Sequence, residues 1–458
     1  MRLVDRHIIN RTHRYWQVCD ELAFKSKNLY NLANYYCRQH FFRSSKSLDL
    51  TKLYHATKDS DAYRSLPTKV SKQIIKCLVA TWRGYFQAIK EWSKHPGKFL
   101  GKPKIPKYKD KTKGRNVVIY SKESVYKAPL KDGICHLSMS DIKIPVVVET
   151  VIEVRIVPAT SCYIIEVVYE KTLQPQIHST SVAGIDLGID RLVALSTNKP
   201  GVKPMLVNGK PLKSVNQLYN KRKAKYQSHL KGNRKTSRKI EALTYHRNRF
   251  VENYLHNTSK LVVNYLVTNN IGTVVIGKNE NWKQCADIGK KNNQNFTQIP
   301  HSKLIQQITY KCQLAGIKVI ETEESYTSKT SALDLELPCQ QENYVGKRVK
   351  RGLFRSATGK VINADINGSI CDNQKEIPRG FYCRGNSELC RERLYWLIQY
   401  QDKSSDRFST VFFVRSHRSL DRRSHGEESA LIRAAPLLAQ LCEAQTPGSD
   451  RACAQRYN

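Results

Sequence analysis

No two of the 13 cysteines stand in a C-x-x-C pair, so the usual half-site of a zinc finger is missing. Cys383 and Cys390 are too far apart to replace it, and no matching pair follows them. An odd number of scattered thiols fits reduced, partly buried cysteines and excludes a disulfide scaffold. No run of about 18 apolar residues suggests a membrane span. The first ten residues lack the apolar stretch of a secretory signal, so a cytoplasmic chain is expected. Acidic residues are also scarce: 39 Asp plus Glu face 77 Lys plus Arg, a net charge of +38. Self-repulsion of that size calls for a polyanion. Nucleic acid, which releases counterions on binding, is the commonest one. A basic protein that meets acidic membranes or proteins is the rival reading.

What is present is enough for two or three folded domains: 458 residues, 40% hydrophobic and 9% aromatic. Helical spacing runs from about Tyr15 to Phe42, through Leu22, Ala23, Leu29, Tyr30 and Ala33. A second stripe, Val70, Ile74, Ile75, Leu78, Val79, Trp82, Phe86 and Ile89, lies between Pro67 and Trp92. Two such helices with basic outer faces suit a lobe that grips nucleic acid, and equally an ordinary helical bundle. A basic connector with Pro103 and Pro106 follows, at Lys98–Lys113. The β-rich runs Val117–Tyr120, Ile142–Val148, Ile152–Val157 and Cys162–Tyr169 then read as a small antiparallel barrel or sheet, with the helical lobe as an insertion in it.

From Ser181 the pattern becomes α/β. Strands are expected at Val182–Asp186, Leu192–Ser196, Thr273–Ile276 and Lys318–Glu321, with helices at about Ser214–Asn269 and His301–Ala315. Strands alternating with crossover helices indicate parallel pairing. The basic residues of the first helical stretch, among them Lys221, Arg222, Lys225, Arg234 and Arg238, could rest along a duplex or be merely solvated.

Two acids carry the candidate chemistry. Asp186 ends the apolar run Val182-Ala183-Gly184-Ile185, just before Leu187-Gly188. An ionised carboxylate there is costly unless it is paired or binds a metal. Capping a turn is the bland alternative, and sugar-kinase and actin-like folds use a similar strand. Asp365, in Val361-Ile362-Asn363-Ala364-Asp365-Ile366-Asn367-Gly368-Ser369, is likewise set among apolar and small residues. As a helix N-cap it would be unremarkable. Divalent-metal nucleases gather several carboxylates around ions held about 4 Å apart. Hard cations choose oxygen ligands, so the lack of paired Cys and His is no objection.

At these residues the chain resembles the TnpB family, insertion-sequence proteins related to type V CRISPR effectors. The resemblance rests on Lys27–Asn31, Leu66–Ser71, Lys98–Lys109, Gly184–Gly188, Gly277-Lys278-Asn279 with Trp282-Lys283-Gln284, Tyr326–Lys329 and Asn363–Ser369. It implies a RuvC/RNase H-like nuclease domain over residues 181–370, preceded by a wedge-like β-barrel (1–14 and 100–180) that carries an inserted recognition lobe (15–99). It further implies a guide RNA transcribed from the element's end, double-stranded target DNA beside a short motif, two Mg2+ ions and RuvC-type cleavage. Lys278, Lys283, Lys329, Arg348 and Arg351 are the residues expected to meet nucleic acid.

Two departures follow from the resemblance. The family's middle acid would stand where this chain has Gly277, and Glu324, just past the strand Lys318–Glu321, is expected to replace it. Glu323 and Glu280 are the competitors. The expected metal ligands are therefore Asp186, Glu324 and Asp365. The family's four-cysteine finger is also missing after Thr327-Ser328, where Cys339 stands alone, so zinc is not expected. A basic loop, Lys347 to Arg355, takes that place. After Ile370 the resemblance stops. Residues 370–376 can be encoded so that a shifted frame reads Tyr-Val-Ile-Ile-Arg-Lys, the family's expected helix. Residues 371–458 are thus expected to be an out-of-frame tail, with a genuine accessory tail as the rival. Two functional alternatives remain: an RNA-guided DNA binder that no longer cuts, and a transposase-associated DNA-binding protein.

Overall fold

In a computed structural model, residues 1–148, 150–278, 289–376 and 411–412 are described. Two compact units divide at Lys171/Thr172.

The first unit opens with β1 (Arg2–Ile9) and a helical segment of α1 (Trp16–Ser44), α2 (Leu50–Thr57), α3 (Asp61–Arg64) and α4 (Thr68–Lys94). Then come β2 (Val118–Ser121), α5 (Lys127–Lys131), β3 (Ile134–His136), β4 (Lys143–Pro145), β5 (Val151–Pro158) and β6 (Tyr163–Glu170). The antiparallel order β1-β6-β5-β2 places the helices between strands of one sheet, while β3 and β4 pair separately. The apolar stripe of α4 is buried from Val70 to Trp82, and its N-terminus follows Pro67. Trp82 donates its indole N–H to buried Asn34 of α1 at 3.0 Å. The helix α1 also grips the basic connector by its backbone. Asn34 and Arg38 donate to the Pro106 carbonyl, Asn31 to that of Lys109 and Lys27 to that of Lys111. With its carbonyls bonded to α1, the proline-rich segment keeps an extended course.

The second unit contains β7 (Val182–Asp186), β8 (Arg191–Thr197), β9 (Met205–Asn208), α6 (Lys210–Ser228), α7 (Arg238–Thr268), β10 (Thr273–Gly277), α8 (Lys290–Gln298), α9 (His301–Leu314) and β11 (Lys318–Thr322). It ends with β12 (Lys347–Lys350), β13 (Leu353–Arg355), β14 (Val361–Asn363), α10 (Ala364–Glu376) and β15 (Val411–Phe412). Its main sheet has the order β11-β10-β7-β8-β9-β15. β10 lies parallel to both β7 and β11, as alternating strands and helices require. The pairs β7–β8 and β8–β9 are antiparallel, so the sheet is mixed, not parallel throughout. Only four residues join β7 to β8, too few for a parallel crossover.

One face of this sheet packs Ala183, Ile185, Val193 and Val274 against Leu255 and Val262 of α7 and Leu304 and Ile308 of α9. On the other, Ala194 and Leu206 meet Ile366, Ile370 and Cys371 of α10. The long helical stretch expected at 214–269 is two helices. The break holds Gly232 at φ 63°, and Ser237 caps α7 by accepting the Ile240 N–H. The basic stretch expected as a loop at Lys347–Arg355 forms strands β12 and β13, joined through β13 to β14.

α10 runs through the limit expected at residue 370. Its next four residues, Cys371 to Gln374, are buried. Apart from β15 beside β9, the tail beyond Glu376 lies outside the described residues.

Candidate metal centre

The register of the parallel strands builds the site. Ile185 of β7 pairs with Ile276 of β10, so Asp186 and Gly277 follow side by side at the strand ends. Gly277 pairs in turn with Thr322 of β11, two residues before Glu324. A Cβ at Gly277 would lie 2.4 Å from Glu324 Cγ and 2.7 Å from Asp372 Oδ2. The bare glycine leaves the space in which the Glu324 side chain lies over β10. Lys375 fixes the Glu324 turn by donating to the carbonyls of Glu323 (2.8 Å) and Ser325 (2.5 Å). Buried His301 lies 3.0 Å from the Gly188 carbonyl, on the turn after Asp186.

From the opposite face, α10 approaches because β7 carries Gly184, where a Cβ would come 2.0 Å from the Ser369 carbonyl. Gly368 is also tight, since its Cβ would meet Asp186 Oδ2 at 2.7 Å. Asn363 caps the helix by accepting the Asp365 and Ile366 N–H groups at 2.9 and 3.2 Å. Asp365 is thus not the cap but sits in the first turn, half-buried. Asn367 ties the Thr327–Ser331 turn to α10, donating to Thr330 O at 2.7 Å and accepting from Ala332 N at 3.0 Å.

Asp186, Glu324 and Asp372 each offer a carboxylate oxygen, and the three oxygens lie within 4.8 Å of one another. Asp186 and Glu324 are half-buried, and Asp372 is 0% exposed. Burial pushes the Asp186 carboxyl well above the usual range, aided by the Glu324 and Asp365 charges. Burial likewise lifts Glu324 to about 7, against a backbone hydrogen bond from Leu187 and the Lys375 charge. Asp372 is raised well above its ordinary value by burial, Asp186 and Glu324. Asp365 is raised by burial, with Arg348, Arg191 and Arg351 opposing.

Of the expected ligands, Asp186 and Glu324 meet directly. Asp365 stands near enough for its charge to act on Asp186, but it is not one of the three clustered groups. Asp372 was missed because it falls in the stretch read as a tail. Its spacing of seven residues from Asp365, two helical turns on one face, was the available signal. Exposed Glu323 accepts a hydrogen bond from Ser325 at 2.6 Å and is absent from the cluster, while Glu280 lies outside the described residues.

Arg348 is exposed on β12, and its charge acts on Asp186 and Asp365. Arg351 binds Asp190 at 2.6 Å, and Lys278 pairs with Glu321 at 2.5 Å. Lys329 lies over the Tyr344 ring at 5.9 Å, and Lys283 is outside the described residues.

The donor set suits a hard divalent cation, for it is all carboxylate. Both Asp372 oxygens are buried without a hydrogen-bond partner, and three acids this close repel unless protons or a cation lie between them. Asp186, Glu324 and Asp372 would hold such a cation, which would supply the positive charge that the three carboxylates lack among themselves.

Two family models match the chain: OrfB_IS605, probable transposase, over residues 160–283, and the Cas12f1-like TNB domain over residues 301–371. The CRISPR-associated endodeoxyribonuclease Cas12f1 of Sulfoacidibacillus thermotolerans is 26% identical over 199 residues. That match takes in 41% of this chain and 44% of the relative, less than half the relative's length. A solved Cas12f1-sgRNA-target DNA complex is similar at TM-score 0.48 and 13% identity, over 79% of this chain and 82% of that one. The mini-RNA-guided endonuclease CRISPR-Cas_phi3 is similar at TM-score 0.39 and 11% identity, over 82% and 92%. The transposase match contains Asp186, and the TNB match contains Glu324 and Asp365 and ends at Cys371. These sequence matches make the chain similar to the OrfB_IS605 transposases over one stretch and to the Cas12f1 endonucleases over another, as is consistent with a TnpB-like protein.

Proposed function

We propose that this chain is an RNA-guided DNA endonuclease of a transposable element. In this reading its second unit is a RuvC/RNase H-like nuclease domain, with Asp186, Glu324 and Asp365 as ligands for two Mg2+ ions. The observation that carries it is the passage of Glu324 across bare Gly277 to reach Asp186, which supplies an acid where β10 has none. Asp186 holds its carboxylate rigidly at the end of a paired strand, Glu324 is braced by Lys375, and Asp365 enters from the first turn of α10. Bound divalent ions would activate the attacking water and stabilise the leaving oxygen. Arg348 and Arg351, on the β12–β13 hairpin, hold strand phosphates beside these acids, with Lys278, Lys283 and Lys329 as further phosphate contacts. The first unit, with its gripped basic connector, carries a barrel and recognition lobe for guide RNA and target DNA. The +38 charge and the endodeoxyribonuclease relative both support those partners.

The test is cleavage of a target plasmid by the chain purified with its RNA, with and without Mg2+. Asp186→Ala and Glu324→Gln should abolish cutting while guided binding persists, and Glu323→Gln should cut normally. Wild-type cutting by the Glu324 variant would refute the ligand assignment. Guided binding with no cutting by the wild type would favour the repressor-like reading, for which the polar, buried end of α10 beside the acids is the specific observation.

A further inference from the structure

We propose that Asp372 is itself a ligand of the metal centre, so that a divalent cation sits between Asp186, Glu324 and Asp372 beneath α10. The inference rests on the metal-centre reading above and adds a residue to it. Asp372 is wholly buried, and neither of its oxygens has a hydrogen-bond partner. A carboxylate in that condition is among the costliest groups a protein can bury unless it takes a proton or meets a cation, and two further acids within reach supply the rest of a cation's ligand set. Lys375, one turn away, acts on Asp372 only through its charge, because its ammonium is bonded to the carbonyls of Glu323 and Ser325.

The carboxylate is aimed into the site and not merely near it. Asp372 Oδ2 lies 2.7 Å from the point where a Gly277 Cβ would be, and Glu324 Oε1 lies 2.6 Å from the same point. The two acids thus occupy, from two sides, the hollow that β10 leaves by having no side chain. Asp186 closes the third side, and its carboxylate is the one that lies against Gly368 of α10. Asp365 and Asp372 fall on one face of α10, about 10.5 Å apart along its axis. That helix therefore presents two acids to Asp186: one in its first turn, and one over the floor of the site. The cation bound by Asp372 is the deeper one.

The experiment is binding of Mn2+ alone to the full chain, by calorimetry and by electron paramagnetic resonance, with no nucleic acid present. Asp372→Asn should weaken Mn2+ binding roughly tenfold to a hundredfold, at least the loss seen when a ligand's supporting shell is removed. In EDTA the variant should melt no lower than the wild type, since it loses a buried acid that has no hydrogen-bond partner. Asp372→Ile, which removes the oxygens entirely, guards against the amide acting as a weak ligand and should bind at least as poorly. Unchanged Mn2+ affinity in both variants, with loss in Asp186→Asn, would overturn the role of Asp372 and leave the nuclease reading standing. Loss of Mn2+ binding in the Asp372 variants, with a wild type that never cuts DNA, would sink the nuclease reading and leave the metal site.

Discussion

Two asparagines on α10 should respond to the same substitution with opposite signs. Asn367 and Asn373 are both 0% exposed. The Asn367 amide is used on both sides, donating to Thr330 O and accepting from Ala332 N. Neither the nitrogen nor the oxygen of Asn373 has a partner, and the side chain lies over the bare backbone of Gly184. Leucine nearly matches asparagine in shape. At residue 373 it removes two unpaired polar atoms, each costing about 1–3 kcal/mol to bury, and it adds apolar area. A gain of about 2 kcal/mol is expected from Asn373→Leu, which in a unit of this size raises Tm by roughly 4–8 °C. Asn367→Leu instead orphans the buried Ala332 N–H and leaves the Thr330 carbonyl only the weak Cys371 thiol donor at 3.6 Å, so a loss of roughly 2–4 kcal/mol is expected. Differential scanning calorimetry in EDTA measures both without invoking the metal. Equal or lower Tm for Asn373→Leu would refute the reasoning and would also count against the shifted frame, which puts isoleucine in this part of the helix. A neutral Asn367→Leu would show that α10 is not packed as described.

Two further outcomes follow from the site. Gly277→Ala should displace Glu324, because the new methyl would lie 2.4 Å from its Cγ, so Mn2+ affinity should fall with little change in the fold of β10. Normal affinity would mean that Glu324 is not held there. The metal-free protein should also lose stability as pH rises. The Glu324 pKa climbs from 4.5 to about 7, so the folded state keeps a proton that the unfolded chain has released, and that stabilisation disappears on passing from 4.5 through about 7. Buried Lys311, lowered from 10.5 to about 7, acts in the next window with the opposite sign, placing the minimum near pH 7. Added Mg2+ should raise Tm more at pH 8 than at pH 5. Equal shifts at the two values would refute competition between protons and the cation.

The strands that hold the site were legible because each is a short apolar run ended by a polar or glycine residue. Val182–Asp186 is the clearest of them, and its bounds match the structure. Parallel and antiparallel neighbours were not separable by composition, since β8 is as apolar as β7; the four-residue link decides it. β12 was hidden because all four of its residues are exposed and three are basic, which leaves no alternation to detect. Its partners contribute only Phe354 and Ile362 to the core. Glu324 could be singled out because an acid was missing at Gly277, whereas the crossing of its side chain over β10 is a matter of register that no local pattern carries. Asp372 is easily passed over for a different reason. Cys371-Asp372-Asn373-Gln374-Lys375 has the composition of a solvated loop, yet the structure buries its first four residues.

The hollow at Gly277 also bears on how such a site can change over generations. An acid at residue 277 and Glu324 in its present place cannot coexist, because the Cβ of the first would fall on the side chain of the second. A chain that lacks both has too few ligands. Moving the carboxylate from one strand end to its neighbour therefore passes either through a chain in which the new acid displaces Glu324 or through one that lacks both. The two positions are epistatic: while residue 277 is glycine the chain is held to its glutamate, and an acid at 277 would release it.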